Sequence, residues 1–144
     1  MAISIRGTTP ATSGIVNTAT ISLTLTGARQ PQAGDLLVII HSNNWYGFGD
    51  MPTPTVGGSS TGVNAITNGS IDGGANLGHI KSYTYAVGTT GDLTVAVTET
   101  GTADEEKSLV VYVLSGADTA NPISGDSNGA ATTSNSSNVA SHVL

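Results

Sequence analysis

Residues 107–123, KSLVVYVLSGADTANPI, constrain the fold more than any other stretch of this chain. The apolar run from Leu109 to Leu114 is unbroken and rich in β-branched residues. Ser115-Gly116-Ala117 and the turn Asp118-Thr119-Ala120-Asn121-Pro122 stop it at once. So short a run, closed by Gly and Pro, reads as a buried strand rather than a helix. Side chains alternate along a strand, so Leu109, Val111 and Val113 face one way and Val110, Tyr112 and Leu114 the other. Both faces are apolar, and each needs a cover. Full burial of one Val or Leu is worth about 1.5–3 kcal/mol, so an uncovered row is costly. The run therefore belongs at a sheet centre and points to a structural or assembly role.

The rest of the chain suits that reading. Only 10% of its 144 residues are charged, and polarity comes from Thr, Ser, Asn and 19 Gly. Thr favours strands, while Asn and Gly favour turns, so the composition predicts an all-β domain with many turns. With 38% hydrophobic residues gathered in runs, it is not a disordered composition. The net charge is −6, and Arg6, Arg29, Lys81 and Lys107 are the only Lys or Arg residues. No basic patch can be built from so few, which argues against nucleic acid and against anionic membranes as partners. The absence of Cys excludes disulfides and thiolate metal sites. The opening MAISIRGTTP lacks the pattern of a signal peptide, and no apolar run is long enough for a membrane-spanning helix. Synthesis in the cytosol is expected.

Strands are expected at 2–5, 20–25, 35–42, 63–66, 79–87, 93–98 and 107–115, with a brief one near Thr55-Val56. Residues 7–16 read as a loop. Residues 20–25 alternate, with Ile21, Leu23 and Leu25 inward and Thr20, Ser22 and Thr24 outward, the mark of a strand with one wet face. Residues 35–42, DLLVIIHS, are apolar on both faces and look equivalent to 107–115. Asn68-Gly69 and Asp72-Gly73 read as turns, and 93–98 as the hairpin partner of 79–87. No helix is convincing. Regular strands joined by turn signals predict an antiparallel β-sandwich, jelly-roll or Ig-like. The sandwich domain is placed at 1–123 and a low-complexity polar linker at 124–138. A terminal strand at 139–144 would complete a sheet, here or on a neighbour, or lead into a longer chain.

Candidate chemistry is thin. Gly125-Asp126-Ser127-Asn128-Gly129 matches G-x-S-x-G, but it sits in low-complexity sequence, with His142 and no acid after it. The nucleophile elbow needs a strand before, a helix after, and both partners downstream, so the match reads as coincidence. His41, His79 and His142 lack metal-ligand spacing and read as structural or surface residues. Asp72-Gly73-Gly74-Ala75-Asn76 reads as a turn and Asp104-Glu105-Glu106 as a solvated loop tip; neither matches a Ca²⁺ loop. Asn68-Gly69-Ser70 and Asn135-Ser136-Ser137 fit the glycosylation sequon, which means little without secretion. Trp45, Tyr46 and Phe48 form the one aromatic cluster. It could stack on a glycan or anchor a partner, and a plug at the sandwich end or a subunit contact is the favoured reading. No catalytic residue, cofactor or metal site is assigned.

The order GDLLVI (34–39), SYTYAV (82–87), GDLTVAVT (91–98) and VVYVLSGADTANPI (110–123) resembles a β-sandwich domain of tailed-bacteriophage virion proteins, also seen in some bacterial surface proteins. The resemblance spans about 34–123 and is one of pattern, with no active-site motif. It implies a non-enzymatic virion structural protein, assembled in the bacterial cytoplasm. A capsid decoration or accessory protein comes first, and a tail or tail-fibre component second. The implied partners are other virion proteins and further copies of the chain. The rival reading is a carbohydrate-binding or adhesin module that uses Trp45, Tyr46 and Phe48.

Overall fold

A computed structural model describes residues 2–7, 11–16, 19–43, 51–72, 78–98 and 106–122. Nine strands follow one another along the chain: β1 (Ser4–Ile5), β2 (Ala11–Val16), β3 (Thr20–Leu25), β4 (Leu36–Asn43), β5 (Thr55–Val56), β6 (Val63–Asp72), β7 (His79–Ala86), β8 (Leu93–Thr98) and β9 (Lys107–Ser115). Among the described residues the only helical turn is a 3-10 turn at Gly27–Arg29. All strand pairs are antiparallel. The larger sheet has the order β1-β9-β4-β7-β6, with β2 also on β9, and the smaller has the order β3-β8-β5. The two sheets pack into an all-β sandwich.

The two strands that are apolar on both faces, β4 and β9, lie side by side in the middle of the larger sheet. Leu36 pairs with Leu114, Val38 with Tyr112 and Ile40 with Val110, and the next residues along, Leu37 with Val113 and Ile39 with Val111, face the other way. The latter set closes the core. Leu37, Ile39, Tyr83, Leu109, Val111 and Val113 from the larger sheet meet Ile21, Leu25, Val56, Val95 and Val97 from the smaller, all buried in one cluster. Alternation alone selects these residues: β3 and β8 turn Ile21, Leu25, Val95 and Val97 inward and leave Thr20, Ser22, Thr24, Thr94 and Thr98 exposed.

Three local expectations are corrected. Residues 11–16 form a strand, β2, and not a loop. The edge of β9 presents backbone donors and acceptors that need partners, and β1 and β2 share them, against Leu114-Ser115 and against 107–111. Asn68-Gly69 does not end a strand; β6 runs on to Asp72, and the pair falls in a register shift between Ala65 and Ser70. Gly69 is needed there, since a Cβ would sit 2.7 Å from the Ile66 Cβ. Finally, β8 is not the hairpin partner of β7 but pairs with β3 and β5 in the other sheet. The inward-facing Val87 is buried and extends the ladder beyond β7, donating to Asp35 O and accepting from Gly34 N, both at 2.9 Å. From there residues 88–92 carry the chain across to the smaller sheet, and Gly91 N donates to Pro31 O at 3.2 Å.

Candidate functional site

The two outer faces of the sandwich differ in chemistry. On the smaller sheet the outward residues of β3 and β8 are Thr, Ser and Ala. Hydroxyls join across the strands there, Thr20 to Thr98 and Thr24 to Thr94, each at 2.9 Å. This is how a solvated sheet face is built. On the larger sheet the outward rows read Leu36-Leu114, Val38-Tyr112 and Ile40-Val110 across β4 and β9, and only the fourth row, Ser42-Ser108, is polar, its hydroxyls 2.6 Å apart. Strand β7 adds Ile80, Ser82, Thr84 and Ala86 to the same face. No outward position of these three strands carries a charge.

Cover on this face is incomplete. Leu36 and Thr84 are buried, but Val38, Ile40, Ile80, Val110, Tyr112 and Leu114 remain half-buried. At opposite corners Ile5, paired with Leu114, is 42% exposed, and Ile71, paired with Ile80, is 40% exposed. Scattered apolar residues on a surface need no explanation, whereas a contiguous uncharged row of them marks an interaction surface. This face is the candidate site, and adhesion is the chemistry it can supply.

The inward face changes character along the strands. Beyond Ile39 and Leu109 it holds His41, Asn43, His79 and Lys107, all buried. Asn43 pairs with both His79 and Lys107, and His41 with Lys81 and Leu109, so these groups share one end of the interior. Lys81 Nζ donates to Met51 O at 3.5 Å. A buried lysine is tolerated only when its charge is compensated, and each of His41, Asn43, His79 and Lys107 does interact with another group. His41 and His79 are thus structural rather than surface residues. Among the described residues no three His, Asp or Glu side chains gather as a metal site.

At the other end of β4 sits a second polar group, which the sequence does not advertise. Asp35 is buried and accepts from Arg6 through Nε and, at 3.0 Å, through Nη2; Gln32 N also donates to it, at 2.8 Å. The hydrogen bond and charge of Asp35 raise the Arg6 guanidinium above its ordinary range. Arg6 N donates to Val113 O at 2.9 Å, so the ion pair pins the chain after β1 to β9 and β4. The two residues lie far apart in sequence, and no spacing rule links them. Burial pushes the Tyr83 phenol up, and its hydroxyl donates to Pro52 O at 3.3 Å.

Trp45, Tyr46 and Phe48 lie outside the described residues, as do His142, the Ser127 motif, Asn135 and the expected linker and terminal strand at 124–144. Of the two acidic stretches, Asp72 and Glu106 are described, and Glu106 is exposed. Among the described residues no helix is long and apolar enough to cross a membrane. Compared with protein-family models, curated proteins and solved structures, the chain matches none.

Proposed function

We propose that this chain is a non-enzymatic structural protein of a tailed-bacteriophage particle, a capsid decoration or accessory protein that adheres through the outer face of its larger sheet. The observation that carries the reading is the uncharged apolar row Val38, Ile40, Val110, Tyr112 and Leu114, left half-covered by the chain itself. The pattern resemblance over 34–123 supplies the particle, and the apolar face supplies a means of attachment. Its mechanism is burial: the particle surface completes the cover that a lone subunit leaves partial, and the hydrophobic gain offsets the entropy lost on docking. Assembly in the bacterial cytoplasm and presence in the virion follow from this role.

Recovery from purified particles is the test. The chain should co-purify with virions at a fixed copy number relative to the major shell protein. A lone monomer, absent from every particle fraction, would overturn the proposal.

A further inference from the structure

We propose that Lys107 and Asn43 form a site of covalent self-modification, at which the lysine amine and the asparagine carboxamide join as an isopeptide between the two central strands.

Register brings the two residues together. Asn43 ends β4, Lys107 begins β9, and they are direct partners in the antiparallel ladder. Directly opposed residues have Cα atoms about 4.5–5.5 Å apart and side chains on the same face, a gap that a lysine stem spans. That face is the inner one, where Lys107 is 1% exposed and Asn43 6%. A lysine buried so completely beside a buried carboxamide is rare on any core face. Lys81, the other lysine at this end, is half-buried, stands opposite His41 and donates to Met51 O at 3.5 Å. The pairing thus singles out Lys107 as the nucleophile and Asn43 as the carbonyl.

The second neighbour of Asn43 in the ladder is His79, also buried. Imidazole is the side chain best suited to carry a proton near neutral pH. In the step, Lys107 Nζ, in its amine form, attacks Asn43 Cγ. The Nζ–Cγ bond forms and the Cγ–Nδ2 bond breaks. One amine proton passes through the His79 imidazole to Nδ2, which leaves as ammonia. No oxidant, reductant or cofactor enters the balance. Between separate molecules this exchange is slow, but a well-oriented pair gains an effective concentration on the order of 10⁵–10⁸ M. Ammonia escapes, and an interior that excludes water protects the product from hydrolysis. The new amide also replaces a buried cationic side chain with a neutral one, which ends the cost of holding that charge out of water. In a chain without Cys it supplies a cross-link that no disulfide can, closing residues 43–107 into a loop through the centre of the sheet.

Mass spectrometry of the denatured full chain tests the proposal and needs no variant. The wild type should be lighter than its sequence by one ammonia. Trypsin should then fail to cut after Lys107 and leave 30–81 joined to 82–144 as one branched peptide. A chain of full mass, cut normally after Lys107, overturns the proposal. So does an ammonia lost as a succinimide at Asn68-Gly69 or Asn128-Gly129, which leaves linear peptides and a cleavable Lys107. Lys107→Arg and Asn43→Ala, each checked for folding by far-UV circular dichroism, should keep their full mass; a branched peptide in either overturns the pairing. His79→Gln should slow the gain of the bond in freshly made protein at least tenfold. A rate unchanged by that substitution overturns the assignment of the proton carrier.

Discussion

Replacing Val111 and Val110 in turn by Thr tests the two-faced architecture of β9 at adjacent residues. Val and Thr share size and β-branching, so strand propensity nearly cancels and burial decides the outcome. Val111 is fully buried beside Ile39, in the cluster that joins the sheets. A hydroxyl there loses its water, and the neighbouring backbone groups already bond within the ladder. Leaving it unsatisfied costs about 1–3 kcal/mol, and the lost methyl about 0.8 kcal/mol more. Val111→Thr should therefore remove about 2–4 kcal/mol from a stability of about 5–15 kcal/mol. Val110 is half-buried on the outer face, where a hydroxyl reaches water, so Val110→Thr should cost about 0.5 kcal/mol or less. Urea unfolding at a protein concentration low enough to keep the chain monomeric gives both values. Equal losses, or a larger loss at Val110, would refute the assignment of faces.

Three further outcomes are expected. Arg6→Ala leaves the buried Asp35 carboxylate without its cation and should destabilise by about 1–3 kcal/mol, discounted because the guanidinium is partly solvated; Arg6→Ala with Asp35→Asn should recover part of that loss in the same unfolding assay. Asp118 accepts from Ala120 N and Asn121 N at 2.9 and 3.2 Å, and these bonds lower its pKa. The turn after β9 is thus stabilised above the unfolded-state pKa of Asp118 and loses that contribution as pH falls through the folded value, which a carboxyl-carbon NMR titration would show as a midpoint below that of a free Asp. Tyr83, raised by burial, works in the alkaline range: its contribution is present below the unfolded pKa near 10 and is lost as pH rises from there through the folded value, so Tyr83→Phe should flatten the alkaline fall in stability.

The period-two pattern made much of this fold legible. Residues 20–25 and 93–98 write their wet and dry faces in strict alternation, and both strands occupy those residues in the structure. Apolarity on both faces marked 35–42 and 107–115 as central strands, and β4 and β9 do pair at the sheet centre. What alternation cannot encode is which strand lies beside which. Residues 11–16 follow Pro10 and are broken by Gly14, so they do not read as a strand alone, and become one because β9 needs an edge partner. Likewise, the turn after β7 looks like a hairpin, yet Val87 stays in the ladder and the chain crosses sheets. The candidate site was visible as a question, since Val110, Tyr112 and Leu114 had no evident cover. That the smaller sheet covers only the opposite row emerged from the packing. The ion pair of Arg6 with Asp35, and the gathering of His41, His79 and Lys107 at one interior end, depend on long-range register and had no local signal.

The central claim is that the outer face of the larger sheet is partly covered in the lone subunit and fully covered in the assembly. Hydroxyl-radical footprinting of Tyr112 and Tyr85 tests it most directly, because both tyrosines are half-buried in the single chain, Tyr112 on the outer face and Tyr85 on the inner. The dilute chain should be modified at both residues. In the particle, Tyr112 should be protected severalfold while Tyr85 keeps its reactivity. Equal modification of Tyr112 in the dilute and assembled states would contradict the account.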